Sequence, residues 1–377
     1  MNIETLSCDI CNHKEPYSRN PTHEHSELEL GGVPVSIWTP EYHLPKDNEI
    51  KISRVNKGIS KFSRYIPVHL DKKIVSNEGN TPLVKCSEFP ANTYSEVYIK
   101  DESHNPTGSF KDRGIAALVS EASYSGMKKI AIPSTGNAAI SLGYYGNRAG
   151  IGTIVFIPQD TPRSKVNQIE KHSEIISDRN IIESYEHFFR FCKKNKEVYN
   201  GFPANNIYYL QGLKTTAYEI FMQLGNRIPD QVIIPVGSGG NFVGLYHGFR
   251  DLMNMCITKK MPRFVSVQLQ DADPITVGFR EKQLDRLMVL DSIPKTKAEA
   301  IASDTCFNYF KILKIISETK GHAISVSEAE IENAPIMNFE YSSMSVFPAF
   351  EKLAAKKDRY NDLGVVVLIC TASNKGD

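Results

Sequence analysis

Short runs of apolar residues, many of them β-branched, alternate with longer segments of helical periodicity along most of the chain. The apolar runs predict buried strands at residues 97–100, 129–134, 153–158, 231–236, 263–269 and 365–370. The periodic segments predict helices at residues 115–126, 137–150, 183–194, 213–225 and 242–253. This repeated order of strand, glycine turn and helix predicts an α/β protein with mostly parallel sheets.

Residues 1–65 show neither of these patterns. They are polar and are interrupted by prolines, which are Pro16, Pro21, Pro34, Pro40 and Pro45. Proline clusters of this kind are typical of loops and turns rather than of regular elements. We therefore expect an N-terminal extension of loops and short elements before the regular part of the chain.

Ligands of open parallel sheets bind beyond the carboxyl ends of the strands, so these ends are candidate sites. The first is the segment NPTGSFKDRG, residues 105–114. Ser109 followed by Asp112 predicts a helix cap, which puts Lys111 in the first turn. The positive end of the helix dipole disfavours a protonated amine there, and a neutral lysine is what imine chemistry requires. An ordinary surface lysine is the alternative.

The second strand end is PVGSGGNFVG, residues 235–244. A buried strand, a glycine-rich turn and a helix follow one another, so backbone N–H groups at the helix start can form a phosphate cradle. Phe242 stands where a dinucleotide fingerprint needs its third glycine, and the loop lacks the Gly-Lys pair of a Walker motif. We expect a phosphate held by neither nucleotide motif. A tight structural turn is the alternative.

The third strand end is PSTGNAAIS, residues 133–141. Ser134, Thr135 and Asn137 offer hydroxyl and amide groups that suit a carboxylate, a phosphate or a phenolic oxygen. A simple helix cap is the alternative. A lysine, a phosphate cradle and a polar anion loop together suggest an enzyme that uses pyridoxal 5′-phosphate (PLP). Lys111 would hold the cofactor as a Schiff base, and the glycine loop would hold its phosphate.

Composition narrows the classes of protein further. The chain has 377 residues and carries 44 Lys and Arg against 43 Asp and Glu. The balance of charge and the lack of a long apolar run predict neither a nucleic-acid nor a membrane partner. Seven scattered cysteines and the lack of a recognisable secretory signal predict reduced thiols and a cytoplasmic location.

Four blocks resemble the signature blocks of threonine synthase, a member of fold type II of the PLP enzymes, the group of the tryptophan synthase β-subunit. These blocks are NEGNTPL, KDESHNPTGSFKDRG, PSTGNAAIS and IPVGSGGN, in the family's order. The resemblance covers roughly residues 65–377. It implies two open, twisted, mostly parallel-sheet domains with the active site between them. After the extension at residues 1–65, residues 66–103 and 206–377 would form a large PLP-binding domain, and residues 104–205 a small mobile domain.

The resemblance also implies roles for single residues. Lys111 resembles the Schiff-base lysine that moves protons at the substrate's Cα, and Asn137 resembles the asparagine that binds the cofactor's phenolic oxygen. Thr371 resembles the hydroxyl partner of the pyridine nitrogen, which favours elimination and replacement over transamination. The residues that resemble the phosphate loop are Gly237, Ser238, Gly239, Gly240 and Asn241. Those that resemble substrate-binding residues are Ser134, Thr135 and Lys214.

Other positions depart from the family pattern. Family members usually carry N-x-x-R-x-x-G-Q-K-T, with an arginine that binds the phosphate of O-phosphohomoserine. The chain reads NIYYLQGLKT instead, with Tyr209 in place of the arginine and Leu213 in place of the glutamine. A tyrosine cannot make a bidentate, charged contact with a phosphate. Ala138 replaces a hydroxyl residue, and Phe347 stands where a Glu-Pro-Ala motif would begin. These departures indicate a paralogue with an altered substrate site.

The activity that the resemblance implies is elimination and replacement on an amino acid with a leaving group at Cβ or Cγ. O-phosphohomoserine would give threonine and phosphate. One alternative is β-replacement on O-phosphoserine or another activated serine, as in cysteate and cysteine synthases. The others are deamination of serine or threonine, and an inactive homologue that binds a ligand. The resemblance implies a homodimer.

Cys8 and Cys11 resemble half of the zinc ribbon that some relatives carry. No second CxxC pair follows, and the spacing of His23 and His25 is not a standard completion of such a site. We therefore expect a degenerate remnant of the ribbon without a metal.

Overall fold

The structure is a computed structural model that describes residues 2–18, 29–30, 33–34, 37–87, 96–283, 286–335, 338–355 and 364–373. In chain order its strands are β1 (Thr5–Cys8), β2 (Lys14–Pro16), β3 (Glu29–Leu30), β4 (Val33–Pro34), β5 (Trp38–Glu41), β6 (Leu83–Lys85), β7 (Glu96–Asp101), β8 (Lys129–Pro133), β9 (Gly152–Pro158), β10 (Glu174–Asp178), β11 (Val198–Asn200), β12 (Gln231–Pro235), β13 (Arg263–Leu269), β14 (His322–Val326) and β15 (Val365–Cys370).

The helices lie mostly between the strands. In chain order they are α1 (Lys111–Tyr124), α2 (Asn137–Ala149), α3 (Arg163–Ile169), α4 (Ile181–Lys194), α5 (Ile207–Leu213), α6 (Thr215–Gln223), α7 (Gly240–Asn254), α8 (Pro274–Glu281), α9 (Tyr309–Glu318), α10 (Glu328–Glu332), α11 (Tyr341–Met344) and α12 (Val346–Ala355). Within the described part of the chain, none of them combines the length and apolar character that a membrane crossing requires.

Two sheets organise the chain beyond the N-terminal extension. The larger has the strand order β14-β13-β12-β15-β7-β6, and only β6 runs antiparallel to its neighbour. The smaller has the order β10-β9-β8-β11 and is parallel throughout. The predicted strands are present as β7, β8, β9, β12, β13 and β15, and the predicted helices as α1, α2, α4, α6 and α7. The α/β prediction is therefore confirmed. The smaller sheet lies within residues 104–205, but the division into two domains stays a prediction.

The N-terminal extension is packed into the body of the protein. β2, β1 and β5 form an antiparallel sheet, which agrees with the short elements that were predicted. The buried side chains that the extension adds to the main hydrophobic core include Ile3, Leu6, Ile59, Phe62 and Tyr65. The polar sequence of this region did not indicate that contribution.

The metal prediction for the extension concerns Cys8, Cys11, His23 and His25. His23 and His25 lie outside the described residues. In the described ranges, no group of three or more His, Cys, Asp or Glu side chains is placed to hold a metal ion. The interpretation of Cys8 and Cys11 as a zinc-ribbon remnant therefore stays a prediction.

Three helices that surround the candidate site pack closely because glycines face their neighbours. A Cβ atom on Gly212 of α5 would lie 2.0 Å from the carbonyl oxygen of Arg113 in α1. A Cβ atom on Gly248 of α7 would lie 2.5 Å from the carbonyl oxygen of Lys214, which follows α5. α5 therefore lies against both α1 and α7, and these close contacts fix the two helices relative to each other.

Candidate functional site

Three segments of the candidate site meet at one edge of the larger sheet. β7, β15 and β12 are parallel neighbours, so their carboxyl ends lie side by side. Lys111 follows β7, Thr371 follows β15, and residues 237–241 follow β12. The backbone N–H of Phe110 donates to the carbonyl of Thr371 at 2.9 Å. The structure thus brings the predicted lysine, hydroxyl and glycine loop together.

Lys111 is the first residue of α1, as predicted. Its Nζ lies 4.6 Å from the centroid of the Phe110 ring. Burial lowers the pKa of Lys111 and the charge of Glu340 partly opposes that effect, so that the pKa is lowered to about 8. A substantial fraction of the amine is therefore neutral near physiological pH, which suits a lysine that attacks a carbonyl group.

The predicted cap of α1 is wrong. Phe110 occupies the cap position, and no side chain bonds there. The carboxylate of Asp112 instead accepts from the backbone N–H and the hydroxyl of Thr107, both at 2.6 Å, and from the hydroxyl of Ser141 at 2.6 Å. Ser109 lies in an antiparallel bridge with Ala372. Tertiary contacts of Asp112 with the preceding turn and with α2 thus replace the local cap.

The glycine loop can be built only with glycine at its key positions. Gly239 has a φ of +87°, and a Cβ atom there would lie 2.5 Å from Cδ1 of Ile312 and 2.9 Å from Cβ of Asn308. The Nδ2 of Asn308 donates to the carbonyl of Ser238 at 2.8 Å, which fixes the turn. α7 begins at the next residue, so its unpaired N–H groups and positive dipole end face the loop.

The third strand end belongs to the smaller sheet and reaches the site through Asn137. This residue begins α2, and its Nδ2 donates to Oε2 of Glu340 at 3.0 Å. The backbone N–H of Glu340 in turn donates to the carbonyl of Ala372 at 3.1 Å. Ser134 and Thr135 are half-buried in the turn just before α2. The edges of the two sheets are therefore joined across the site.

Glu340 and Ser343 are site residues that the sequence did not reveal. The hydroxyl of Ser343 lies 2.8 Å from that of Thr371, and it accepts from the backbone N–H of Thr371 at 3.0 Å. Ser343 thereby fixes the hydroxyl that is predicted to meet the pyridine nitrogen. Glu340 directly precedes α11 and Ser343 lies within it. No strand leads into this helix, so neither residue is marked by a strand end. A glutamate and two serines directly before an apolar helix were the available signal.

Phe347, which stands where a Glu-Pro-Ala motif would begin, lies in α12. Its side chain is fully buried in α12 and lies 6.5 Å, between ring centroids, from Phe339. It belongs to the hydrophobic core and does not line the site. A carboxylate does reach the site, but it comes from Glu340, seven residues earlier in the chain.

The predicted substrate role of Lys214 is contradicted by its position. The side chain is fully buried, and its Nζ donates to Oδ2 of Asp251 at 2.5 Å. The same ammonium donates to the hydroxyl of Tyr42 and to the carbonyl of Tyr65. A substrate would have to displace a buried carboxylate from this ammonium, at a high cost in free energy. Lys214 stabilises the contact between α7 and the N-terminal extension.

The side chains of the site fit pyridoxal phosphate. The loop before α7 has the shape of an anion cradle, in which backbone N–H groups can hold a phosphate. The hydroxyl of Ser109, next to Phe110, is buried without a hydrogen-bond partner in the described structure. Unpaired polar groups of this kind are unfavourable until a ligand pairs them. Together with the partly neutral amine of Lys111, they suit a phosphorylated aldehyde.

We expect the amine of apo-protein Lys111 to capture added pyridoxal phosphate at a rate that rises with pH and levels off above about pH 8. The ordinary lysine pKa of 10.5 is lowered, so the reactive neutral form already predominates above the lowered value. The measurement is the rate of the absorbance change on mixing, over a pH range that brackets 8. In Glu340→Gln the midpoint should move to lower pH, because the charge that raises the lysine pKa is gone.

The control is Glu281→Gln, at the exposed end of α8, which should leave the midpoint unchanged. A capture rate that keeps rising up to the ordinary lysine pKa would contradict a lowered value. An unchanged midpoint in Glu340→Gln would show that this carboxylate does not act on the amine.

Comparison with known proteins agrees with this geometry. Residues 74–371 match the model of a family described as pyridoxal-phosphate dependent enzyme. The threonine synthase of Methanocaldococcus jannaschii is 31% identical over 356 residues, which are 92% of this chain and 87% of that protein. The threonine synthase of Methanosarcina acetivorans is 31% identical over 86% of this chain and 80% of that protein.

The fold also matches solved structures. The structure of maize serine racemase superposes with a TM-score of 0.68 at 19% identity, and the match covers 79% of this chain and 89% of that one. At this level of identity the likeness concerns the fold, which is that of the fold type II PLP enzymes.

Proposed function

The chain belongs to the pyridoxal-phosphate dependent enzymes, and we propose that it catalyses elimination and replacement of the threonine-synthase type. The substrate class is an amino acid with a leaving group at Cβ or Cγ. In the reference reaction of this class, O-phosphohomoserine and water give threonine and phosphate. Relatives that are named threonine synthase and span most of the chain support this assignment.

The observation that carries the proposal is the placement of Lys111. Its amine, with a pKa lowered to about 8, begins a helix beside a glycine loop and a hydroxyl group held by Ser343. A neutral hydroxyl leaves a pyridine nitrogen unprotonated, which favours loss and addition of groups over transamination. The combination of this lysine, the glycine loop and the positioned hydroxyl favours an enzyme over an inactive binding protein.

Each residue has a part in the proposed reaction. Bound pyridoxal phosphate supplies the electron sink that makes the Cα proton acidic. Lys111 binds the cofactor covalently and then carries that proton. The backbone N–H groups of residues 237–241 hold the phosphate, and Thr371 contacts the pyridine nitrogen. Asn137, oriented by Glu340, would donate to the cofactor's phenolic oxygen.

The proposal also covers the binding of the substrate, the movement of the small domain, and the location and oligomeric state of the enzyme. Ser134 and Thr135 would bind the substrate carboxylate at the start of α2, where the helix dipole favours an anion. Residues 104–205 would move as a small domain against residues 66–103 and 206–377. We place the enzyme in the cytoplasm as a homodimer. The absence of disulfides among its seven cysteines supports a reducing compartment.

The experiment is a substrate panel with the enzyme saturated with pyridoxal phosphate. The panel contains O-phosphohomoserine, O-acetylhomoserine, O-phosphoserine, O-acetylserine, serine and threonine. We expect release of the leaving group from at least one activated amino acid, with formation of a new amino acid that chromatography identifies. Ammonia and a 2-oxo acid from serine or threonine alone would favour deamination instead. Conversion of the cofactor to its amine form as the main event would contradict the proposal.

A further inference from the structure

A tyrosine next to the candidate site is buried without a hydrogen-bond partner. Tyr209 of α5 is 1% exposed, and its hydroxyl bonds to none of the described residues. Buried hydroxyl groups in native proteins are nearly always paired, so an exception at the edge of a ligand site needs an explanation. A ligand that supplies the missing acceptor is one such explanation.

The ring of Tyr209 is wedged between the starts of two helices. A Cβ atom on Gly114 of α1 would lie 2.3 Å from Cδ2 and Cε2 of the ring. A Cβ atom on Gly240 of α7 would lie 3.4 Å from Cε1. The carbon that carries the hydroxyl joins Cε1 to Cε2, so it lies between these two helix starts. The same helix starts carry Lys111 and the glycine loop.

Asn241 carries a second unpaired neutral group, one residue after the glycine that the ring of Tyr209 approaches. It follows Gly240 directly, is 5% exposed, and has no partner for either its amide nitrogen or its oxygen in the described part of the chain. Tyr209 and Asn241 together can donate and accept hydrogen bonds, but neither carries charge. These two unpaired groups, at neighbouring helix starts, suit a polar, uncharged part of a ligand.

The nearby buried cations are already neutralised by carboxylates. Each forms an ion pair at 2.8 Å or less, and the pairs are Arg113 with Glu102 and Glu219, Lys100 with Glu219, and Lys214 with Asp251. Glu340 adds a negative charge to the site. Lys111 and the backbone N–H groups of the glycine loop are taken up by the cofactor in the proposed function, which leaves the side-chain amide of Asn241 for another ligand group. A second phosphate dianion in this interior would therefore lack a cationic partner among these groups, which is unfavourable.

We propose that the phenol of Tyr209, together with the amide of Asn241, binds the leaving-group end of the substrate and selects uncharged hydrogen-bond acceptors over phosphate. The preferred substrate class is then an amino acid activated as an uncharged ester, or one with a free hydroxyl or amide at that end. This inference rests on the proposed function, because it takes the cofactor to occupy the glycine loop and the substrate to lie beside it.

The test measures binding rather than turnover. Holoenzyme is titrated with glutamine, which has an uncharged amide tail, and with 2-amino-5-phosphonopentanoate, which has a phosphonate tail that cannot leave. The readouts are heat release and the shift in cofactor absorbance. We expect glutamine to bind at least about tenfold more tightly than the phosphonate. The reason is that the charged phosphonate would lack a cationic partner in this interior. Tyr209→Phe should weaken glutamine binding by about three- to tenfold and leave cofactor affinity unchanged.

Tyr209→Arg should reverse the preference, because a guanidinium pairs with a phosphonate in a bidentate manner. The matched control is Tyr185→Phe, at a half-buried tyrosine of α4, which should change none of these affinities. Loss of cofactor affinity in Tyr209→Phe would assign the hydroxyl to the cofactor phosphate and overturn the proposal. Tighter binding of the phosphonate by the unmodified enzyme would also overturn it. Failure of every substrate in the turnover panel would refute the proposed function while leaving this binding preference measurable.

Discussion

Replacing Lys111 by alanine is expected to reduce kcat by at least about a thousandfold on any substrate that the enzyme accepts. The variant loses both the covalent anchor of the cofactor and the base that removes the Cα proton. The rest of the site, including the loop at residues 237–241 and the hydroxyl of Thr371, remains in place. The variant should therefore still bind pyridoxal phosphate, without a covalent bond. Turnover assays and the visible absorbance of the bound cofactor measure the two effects separately.

Borohydride reduction gives an independent readout for the same residue. In the unmodified enzyme it should fix the cofactor on the peptide that contains Lys111, and in Lys111→Ala no lysine should be labelled. Lys128→Ala, at an exposed lysine just before β8, serves as the control and should behave like the unmodified enzyme. Retained turnover in Lys111→Ala, or a label on another lysine, would contradict the catalytic assignment.

The central strands of the fold are predictable because they are apolar along their whole length. β13 and β15 begin and end at the residues that the sequence pattern indicates, and all but the first side chain of each is buried. Both are interior strands of the larger sheet, where a continuous apolar run is expected. β10 and β11 were not predicted. β10 is an edge strand with half-exposed side chains, and β11 has only three residues, so neither leaves a continuous apolar run.

The candidate site is predictable where a strand end carries it. Lys111, Thr371 and the glycine loop follow neighbouring parallel strands, and the topology brings their positions together. Glu340 has no such local signal. It reaches the site because its backbone bonds to Ala372 and its side chain to Asn137, and both partners are distant in the chain. Contacts of this kind depend on the tertiary fold.

Lys214 shows the opposite case, in which a motif resemblance misleads. Its place in a segment similar to a family motif suggested a substrate contact. The partner that decides its role, Asp251, lies 37 residues further along the chain on α7. Nothing in the local pattern around Lys214 shows that α7 will bring a carboxylate to it. The ion pair between Lys214 and Asp251 is therefore visible only in the structure.

Beside the first turn of α1, a second buried group of charges supports the site. The guanidinium of Arg113 donates to Glu102 at 2.7 and 2.8 Å and to Glu219 at 3.0 and 2.7 Å. Lys100 donates to Glu219 at 2.8 Å. Burial alone would raise the pKa of Glu219, but the charges of Arg113 and Lys100 hold it below its ordinary value. Two cations and two carboxylates thus balance in an interior from which water is nearly excluded.

Arg113→Met is therefore expected to lower the free energy of unfolding by about 3–5 kcal/mol, measured by denaturant titration at neutral pH. The methionine fills much of the volume but leaves Glu102 and Glu219 with one cation between them. Without the guanidinium, burial raises their pKa values, so protonation at lower pH should recover part of the loss. Glu102→Gln added to Arg113→Met should also recover part of the lost stability, because it removes the uncompensated charge.

The control is Arg179→Met, which breaks an exposed pair with Glu183 and should produce no measurable change in the free energy of unfolding. Equal losses in both arginine variants, or a loss in Arg113→Met that grows at lower pH, would show that charge balance is not what Arg113 provides.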